Sequence, residues 1–252
     1  MKNGATEHIS IQKISNGEIS ETKDMVAVEE PLEIQLAYST ATGRMQKNIA
    51  ITMRTPGNDE ELAAGFLFTE GIIKDKASVH EIKHLPADDN RVLVTLKENI
   101  IPVLAGASRN FYSTSSCGIC GKASIDAVRI VSQYSDKKDN IVIDANTFHG
   151  LQHQLKKQQE VFEDTGGIHA SALFDLSGNF IMLREDVGRH NALDKIIGTA
   201  LLTNELPLNN CILLLSGRAG FELVQKAAMA GIKIIAAVGA PSSLAVQLAE
   251  ET

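Results

Sequence analysis

Two sulfurs in the middle of the chain carry the first chemical signal. Cys117 and Cys120 lie in Ser113-Thr-Ser-Ser-Cys-Gly-Ile-Cys-Gly121, where hydroxyl residues and glycines leave both thiols unhindered. The residues that follow, Lys122 to Ile130, place Ile125 and Val128 on one face of a helix, with Ser115 or Ser116 as its N-cap. Cys117 would then lie at the positive end of that helix, where free N–H groups favour thiolate over thiol. A second thiol three residues on can assist or resolve chemistry at the first. Two other readings stay open on spacing alone. A Cys-x-x-Cys pair is half of a zinc site, although the third cysteine, Cys211, opens an apolar run that reads as buried. A thioredoxin-like dithiol would follow a strand, and Arg109 to Thr114 gives only a weak one.

A second group of polar residues stands at two expected helix starts. Ser216-Gly217-Arg218-Ala-Gly220 follows an apolar strand and leads into a helix, so backbone N–H groups, the helix dipole and Arg218 converge. Such a place suits phosphate or another anion. Arg189-His190-Asn191 falls in the first turn of another helix, where the dipole does not favour a basic residue. His169, after Thr165-Gly-Gly167, is placed to face the same crevice, or else is a satisfied histidine at the start of a strand. By contrast, His80-Glu-Ile-Lys-His84 matches a zinc-protease pattern that works only on a helix. Pro86 and the strand-like surroundings make it an exposed hairpin strand instead.

Two sets of elements must position these groups. Up to residue 107, strand-like runs at Ile9–Ile14, Met25–Val28, Leu32–Leu36 and Asn48–Met53 precede a helix. Asn58 and Glu61 have capping-box spacing at its start, and Gly71 marks its end. Two strands, at Val79–Leu85 and Arg91–Leu96, flank a turn over Pro86–Asn90. Residues 1–107 therefore read as a smaller α+β domain and 108–140 as the cysteine loop, its helix and a polar linker from Gln133 to Asn140. Residues 141–252 read as an α/β domain. In it a helix over Asp144–Phe162, strands at 169–174, 179–183, 211–215 and 233–238, and three further helices give the order α-β-β-α-β-α-β-α. That order predicts a mixed sheet with helices on its faces, the last helix capped by Ser242 or Ser243.

Composition narrows the function classes. The chain has 252 residues, 44% of them hydrophobic and 22% charged, enough for one large or two ordinary cores. Its 24 basic and 31 acidic side chains give a net charge of −7, and it has no tryptophan, which disfavours a nucleic-acid surface. No apolar run approaches membrane-spanning length, and the first residues lack a signal-peptide stretch, so a cytoplasmic protein with no membrane partner is expected.

Five blocks together carry a family resemblance. They are Gly57-Asn-Asp-Glu-Glu-Leu-Ala-Ala-Gly-Phe-Leu-Phe-Thr-Glu-Gly71, Ser116–Gly121, Thr165–Ala170, Glu185-Asp-Val-Gly-Arg-His-Asn-Ala-Leu-Asp-Lys195 and Leu215–Arg218. In this order they resemble the FdhD family, sulfur carriers needed to make formate dehydrogenase active. The resemblance implies a homodimer that accepts persulfide sulfur from a cysteine desulfurase. The sulfur would pass to a molybdenum (or tungsten) bis-molybdopterin guanine dinucleotide, with GDP as a ligand mimic and formate dehydrogenase as the partner served. It maps the persulfide to Cys117 and the helper thiol to Cys120. It also implies a cytidine deaminase-like fold for the C-terminal domain. A zinc deaminase would need His-x-Glu and Pro-Cys-x-x-Cys at the two helix starts, which carry Val187–Asn191 and Ser216–Gly220 instead. Deaminase chemistry and a resident metal are therefore not expected. Relatives continue, on this resemblance, into another strand and an Arg-containing segment, whereas this sequence closes at Glu250-Glu-Thr252.

Overall fold

The computed structural model describes residues 4–86, 88–104, 132–134 and 141–252. Cys117 and Cys120, the helix expected after them and the loop expected before them lie outside the described residues. The elements form three sheets. A hairpin of β1 (Thr6–Ser15) and β2 (Glu18–Ala27) forms its own two-stranded ribbon. The first four-stranded sheet has the order β4-β3-β6-β5, from β3 (Glu30–Thr40), β4 (Gly43–Arg54), β5 (Val79–Leu85) and β6 (Asp88–Leu96). β3 and β6 are parallel at its centre, so both must be apolar, and Leu32, Ile34, Leu36, Val92 and Val94 are fully or almost fully buried. His80 and His84 lie on β5, as the hairpin reading of that segment expects.

Between this sheet and the rest of the molecule runs α1 (Asp59–Thr69). Leu62 and Phe66, four residues apart, would by themselves make it amphipathic. Instead most of α1 is buried, because it is covered on its other side by α4 (Arg189–Thr203). Gly65 and Gly198 make that crossing close: a Cβ on Gly65 would stand 1.9 Å from Asp194 O, and one on Gly198 would stand 1.8 Å from Glu61 O. The expected capping box does not form. Asn58 adopts φ 58°, its side chain makes no cap bond, and its backbone carbonyl accepts from Leu62 N–H at 2.9 Å. Asp59 is engaged elsewhere, by the buried Arg54, whose Nε and Nη2 donate to its two oxygens at 3.0 and 2.9 Å. Gly71, at φ 70°, ends the helical segment as expected.

The second four-stranded sheet has the order β10-β9-β7-β8, from β7 (His169–Asp175), β8 (Phe180–Asp186), β9 (Cys211–Arg218) and β10 (Ile234–Gly239). It is mixed: β7 is antiparallel to β8 and β9, and β10 is parallel to β9. The helix expected over Asp144–Phe162 is two helices, α2 (Thr147–Gln158) and α3 (Glu160–Thr165), broken at Gln159. The Glu185 carboxylate accepts from Val161 N–H and Phe162 N–H, each at 3.0 Å, and so caps the second helix separately. The turn of the first sheet's hairpin is shorter than expected, since β6 already begins at Asp88. Ser132–Tyr134, at the start of the expected linker, lie against the second sheet's helices, with Ser132 Oγ donating to Ala228 O at 2.7 Å. One apolar cluster runs through residues of both sheets and α1, α4 and α5 (Phe221–Met229), and another packs α2 against the opposite face of the second sheet.

Candidate functional site

Strand direction gathers the site. Because β8 and β9 both oppose β7, and β10 follows β9, the strands β8, β9 and β10 run the same way. Each ends at one edge of the sheet, and each is followed by a helix start: α4 after Gly188, α5 after Gly220, and α6 (Ser243–Glu251) after Ser242. Crevices outside the carboxyl ends of such strands are where α/β sheets hold ligands. At the same edge β7 begins with His169, paired with Asp186 of β8. On its other side is Gly217 of β9, and a Cβ there would touch the His169 ring at 3.5 Å. Ser216 and Gly217 thus close a strand rather than open a helix. Ser216 Oγ accepts from Ala170 N–H at 2.8 Å and ties β9 to β7.

Two guanidinium groups border this edge. Arg189 is half-buried in the first turn of α4, and Arg218 is exposed at the end of β9. Arg54 and Arg184 are held by carboxylates, but among the described residues no carboxylate pairs with Arg189 or Arg218. Gly239 leaves room for the Arg218 stem, for a Cβ there would lie 2.8 Å from Arg218 Cγ. Gly220 faces open space, with nothing within 4 Å of where its Cβ would be. Burial lowers the pKa of His169 from 6.5, and the positive Arg189 pushes the same way, against Asp186. His190 Nε2 lies 2.9 Å from Glu222 Oε2, which joins the first turns of α4 and α5. The arrangement offers cationic and N–H groups to an anion while leaving space where glycines stand.

Asn191, expected to face a ligand, is spent inside the fold. Its Nδ2 donates to Met53 O at 2.7 Å and to Asp186 Oδ1 at 3.0 Å, and its Oδ1 accepts from Thr52 Oγ1 at 3.2 Å. Gly188 likewise serves packing: a Cβ there would meet Asn191 Nδ2 at 2.9 Å and Asp186 Oδ1 at 3.3 Å. Sequence reasoning passed over Asp186, Lys195 and Glu222. Lys195 Nζ lies 2.7 Å from Asp186 Oδ2, both side chains being fully or almost fully buried. The signal was available as two adjacent charges, Asp194 and Lys195, inside an otherwise apolar helical run. Asp194 meets Lys226 of α5 at 2.8 Å and accepts from Thr69 Oγ1 of α1 at 2.8 Å, joining three helices. Among the described residues no three His, Cys, Asp or Glu side chains gather as a metal site. None of the helices in those residues is long and apolar enough to cross a membrane.

Fold and site define an α/β protein with Arg189, Arg218 and His169 gathered at the carboxyl ends of the strands of a mixed sheet. Comparison with known proteins makes this specific. Residues 27–252 match the model of the FdhD/NarQ family. A sulfur carrier protein FdhD of Mycolicibacterium paratuberculosis is 49% identical over 249 residues, covering 96% of this chain and 89% of the relative. One of Sulfolobus acidocaldarius is 42% identical over 243 residues, covering 96% and 88%. A crystal structure described as that of a formate dehydrogenase accessory protein from Desulfotalea psychrophila superposes with a TM-score of 0.71. It has 25% identity and covers 98% of this chain and 88% of that one. The chain belongs to the FdhD/NarQ family.

Proposed function

We propose that this protein carries sulfur for the maturation of a formate dehydrogenase. The observation that carries the reading is the near full-length match to relatives named as sulfur carriers, in a chain that holds the Cys117-Gly-Ile-Cys120 pair. In the first step the Cys117 thiolate attacks the outer sulfur of a cysteine desulfurase persulfide. The S–S bond of that persulfide breaks, the desulfurase cysteine leaves as thiolate, and Cys117 keeps the sulfur as its own persulfide. Cys120 is the helper thiol.

The acceptor is the molybdenum (or tungsten) bis-molybdopterin guanine dinucleotide, bound as substrate, and a cytoplasmic homodimer is the working form. The crevice suits its diphosphates: Arg189 and Arg218 have no carboxylate partner among the described residues, His169 packs against Gly217 at the start of β7, and Gly220 faces open space. In this scheme Arg189 and Arg218 hold the phosphates, and His169 lines the approach. The overall negative charge of −7 disfavours nucleic acid as a competing ligand.

Intact-mass spectrometry after incubation with a cysteine desulfurase and cysteine tests the thiol half. One added sulfur is expected, lost in Cys117→Ala and kept in Cys211→Ala. Retention of that sulfur in Cys117→Ala refutes the assignment. Calorimetry with GDP tests the crevice half. A charge-assisted hydrogen bond contributes about 1.5–3 kcal/mol, so Arg218→Ala should weaken GDP about ten- to a hundredfold and leave sulfur loading unchanged. Equal GDP affinity with and without Arg218 refutes the crevice as the nucleotide site.

A further inference from the structure

We infer that Asp186 and Thr55 are positioning residues: through a buried hydrogen-bond clamp, the residues at the end of β4 set the turn that presents Arg189 to the crevice. The inference rests on the crevice reading above. The turn Val187–His190 belongs to the second sheet, yet much of its support comes from the first. Val187 N–H donates to Thr55 Oγ1 at 3.2 Å. Gly188 N–H donates to Asp186 Oδ1 at 2.8 Å, and the other oxygen of that carboxylate accepts from Thr55 N–H at 3.3 Å. Lys195 Nζ closes the ring, lying 2.7 Å from Asp186 Oδ2 and donating to Thr55 O at 3.0 Å. Asn191 pins the far side of the turn to Met53 O and Thr52 Oγ1.

The template is itself fixed. Arg54, between Met53 and Thr55, is 1% exposed and bonded to Asp59, Glu30 and Asn90. So Arg189 and His190 sit between two clamped residues, Gly188 and Asn191; His190 is buried against Glu222 of α5, and the Arg189 side chain is the one left to face a ligand. A fully buried carboxylate with a buried ammonium is a weak source of net stability, since desolvation offsets much of the attraction. Its value here is geometric: Asp186 accepts at once from Gly188, Asn191, Thr55 and Lys195, and no apolar pair could dictate the same turn.

Thr55→Val tests this without changing the side-chain shape, removing only the acceptor of Val187 N–H. Asp186→Asn is the stronger perturbation, and Glu61→Gln is the control. The Glu61 ion pair with Arg184, at 2.6 Å, also joins α1 to the second sheet but does not touch the turn. GDP binding is measured by calorimetry, and amide exchange at Val187 and Gly188 by NMR. In Thr55→Val we expect faster exchange at Val187 and GDP affinity lower by about tenfold, the scale on which supporting partners of ligand-holding groups act. Glu61→Gln should show neither effect. Thr55→Val decides the matter whether or not Asp186→Asn folds. Unchanged exchange at Val187, or faster exchange with unchanged GDP affinity while Arg189→Ala binds GDP weakly, overturns the inference. Undiminished GDP binding by Arg189→Ala instead overturns the crevice reading on which it rests.

Discussion

Adding one methyl group at Gly65 should damage this protein, whereas the same change at Gly150 should help it. Both glycines lie within helices, α1 and α2, where alanine is intrinsically favoured by about 0.8–1 kcal/mol. At Gly150 the new Cβ has one neighbour, Gln154 Nε2 at 3.9 Å, so that gain should be realised. At Gly65 it would stand 1.9 Å from Asp194 O, 1.5 Å short of the 3.4 Å at which ordinary contact begins. It would also stand 2.7 Å from Asp194 C and 2.9 Å from Gly198 N. All three are backbone atoms of α4, so no rotamer change relieves the overlap and the helices must separate. Overpacking typically costs about 1–3 kcal/mol and more where nothing can yield. The separation also strains the bond from Thr69 Oγ1 to Asp194. Setting the high end of that range against the propensity gain leaves a net loss of about 2 kcal/mol. For a chain of this size that lowers Tm by about 4–8 °C. Paired thermal melts by circular dichroism and calorimetry read this directly. Gly65→Ala melting at or above the wild-type temperature would refute the close crossing of α1 and α4.

Two further outcomes follow from the buried charges and from His169. Lys226 is 5% exposed, and although burial opposes its charge, Asp194 and Glu70 hold its pKa above the usual lysine value. Lys226→Met should cost about 3–5 kcal/mol in urea unfolding by stranding the Asp194 carboxylate. The double variant with Asp194→Asn should recover most of that, and a loss below about 1 kcal/mol in the single variant would argue against a charged pair. His169 gives up its proton below 6.5 in the folded state, so over that window the unfolded chain binds more protons and stability rises with pH. GDP in the crevice should offset the field of Arg189 and raise the His169 pKa, a shift visible in NMR titration of its ring. An unmoved His169 would place the nucleotide elsewhere.

The strands of the first sheet were legible because their apolar residues alternate or run unbroken, and Leu32, Ile34, Leu36, Val92 and Val94 are all buried, although the polar Gln35 is buried with them. Their partners were less so. The parallel pairing of β3 with β6 joins residues some sixty positions apart (Glu33 with Arg91), and no local pattern encodes it. Local rules failed where a distant group supplied the missing bond. Asn58 has a capping residue's spacing, yet the helix start follows from backbone geometry and from Arg54 drawing Asp59 inward. The break at Gln159 depends on Glu185, which reaches the start of α3 only once β8 is in place. At the site, Arg189, His190, His169 and the glycines near Arg218 were selected by residue type and position. Asn191 was selected by the same reasoning and proved to be internal, and His190 is likewise buried, against Glu222 of α5.

By itself, the sequence determined the residue chemistry: a Cys-x-x-Cys pair, unhindered glycines, and basic residues at helix starts where local preference disfavours them. Such signals are carried by side-chain type and short spacing, which backbone geometry translates directly into local structure. Only the tertiary structure decided which polar residues of Glu185–Lys195 face outward. Glu185, Asp186, Asn191, Asp194 and Lys195 are bonded to groups of other elements, while Arg189 lacks a carboxylate partner among the described residues. The physical reason is desolvation. A buried polar group must find its partner wherever the chain brings one, and here the partners come from β4, α1, α3 and α5, far from the motif in sequence.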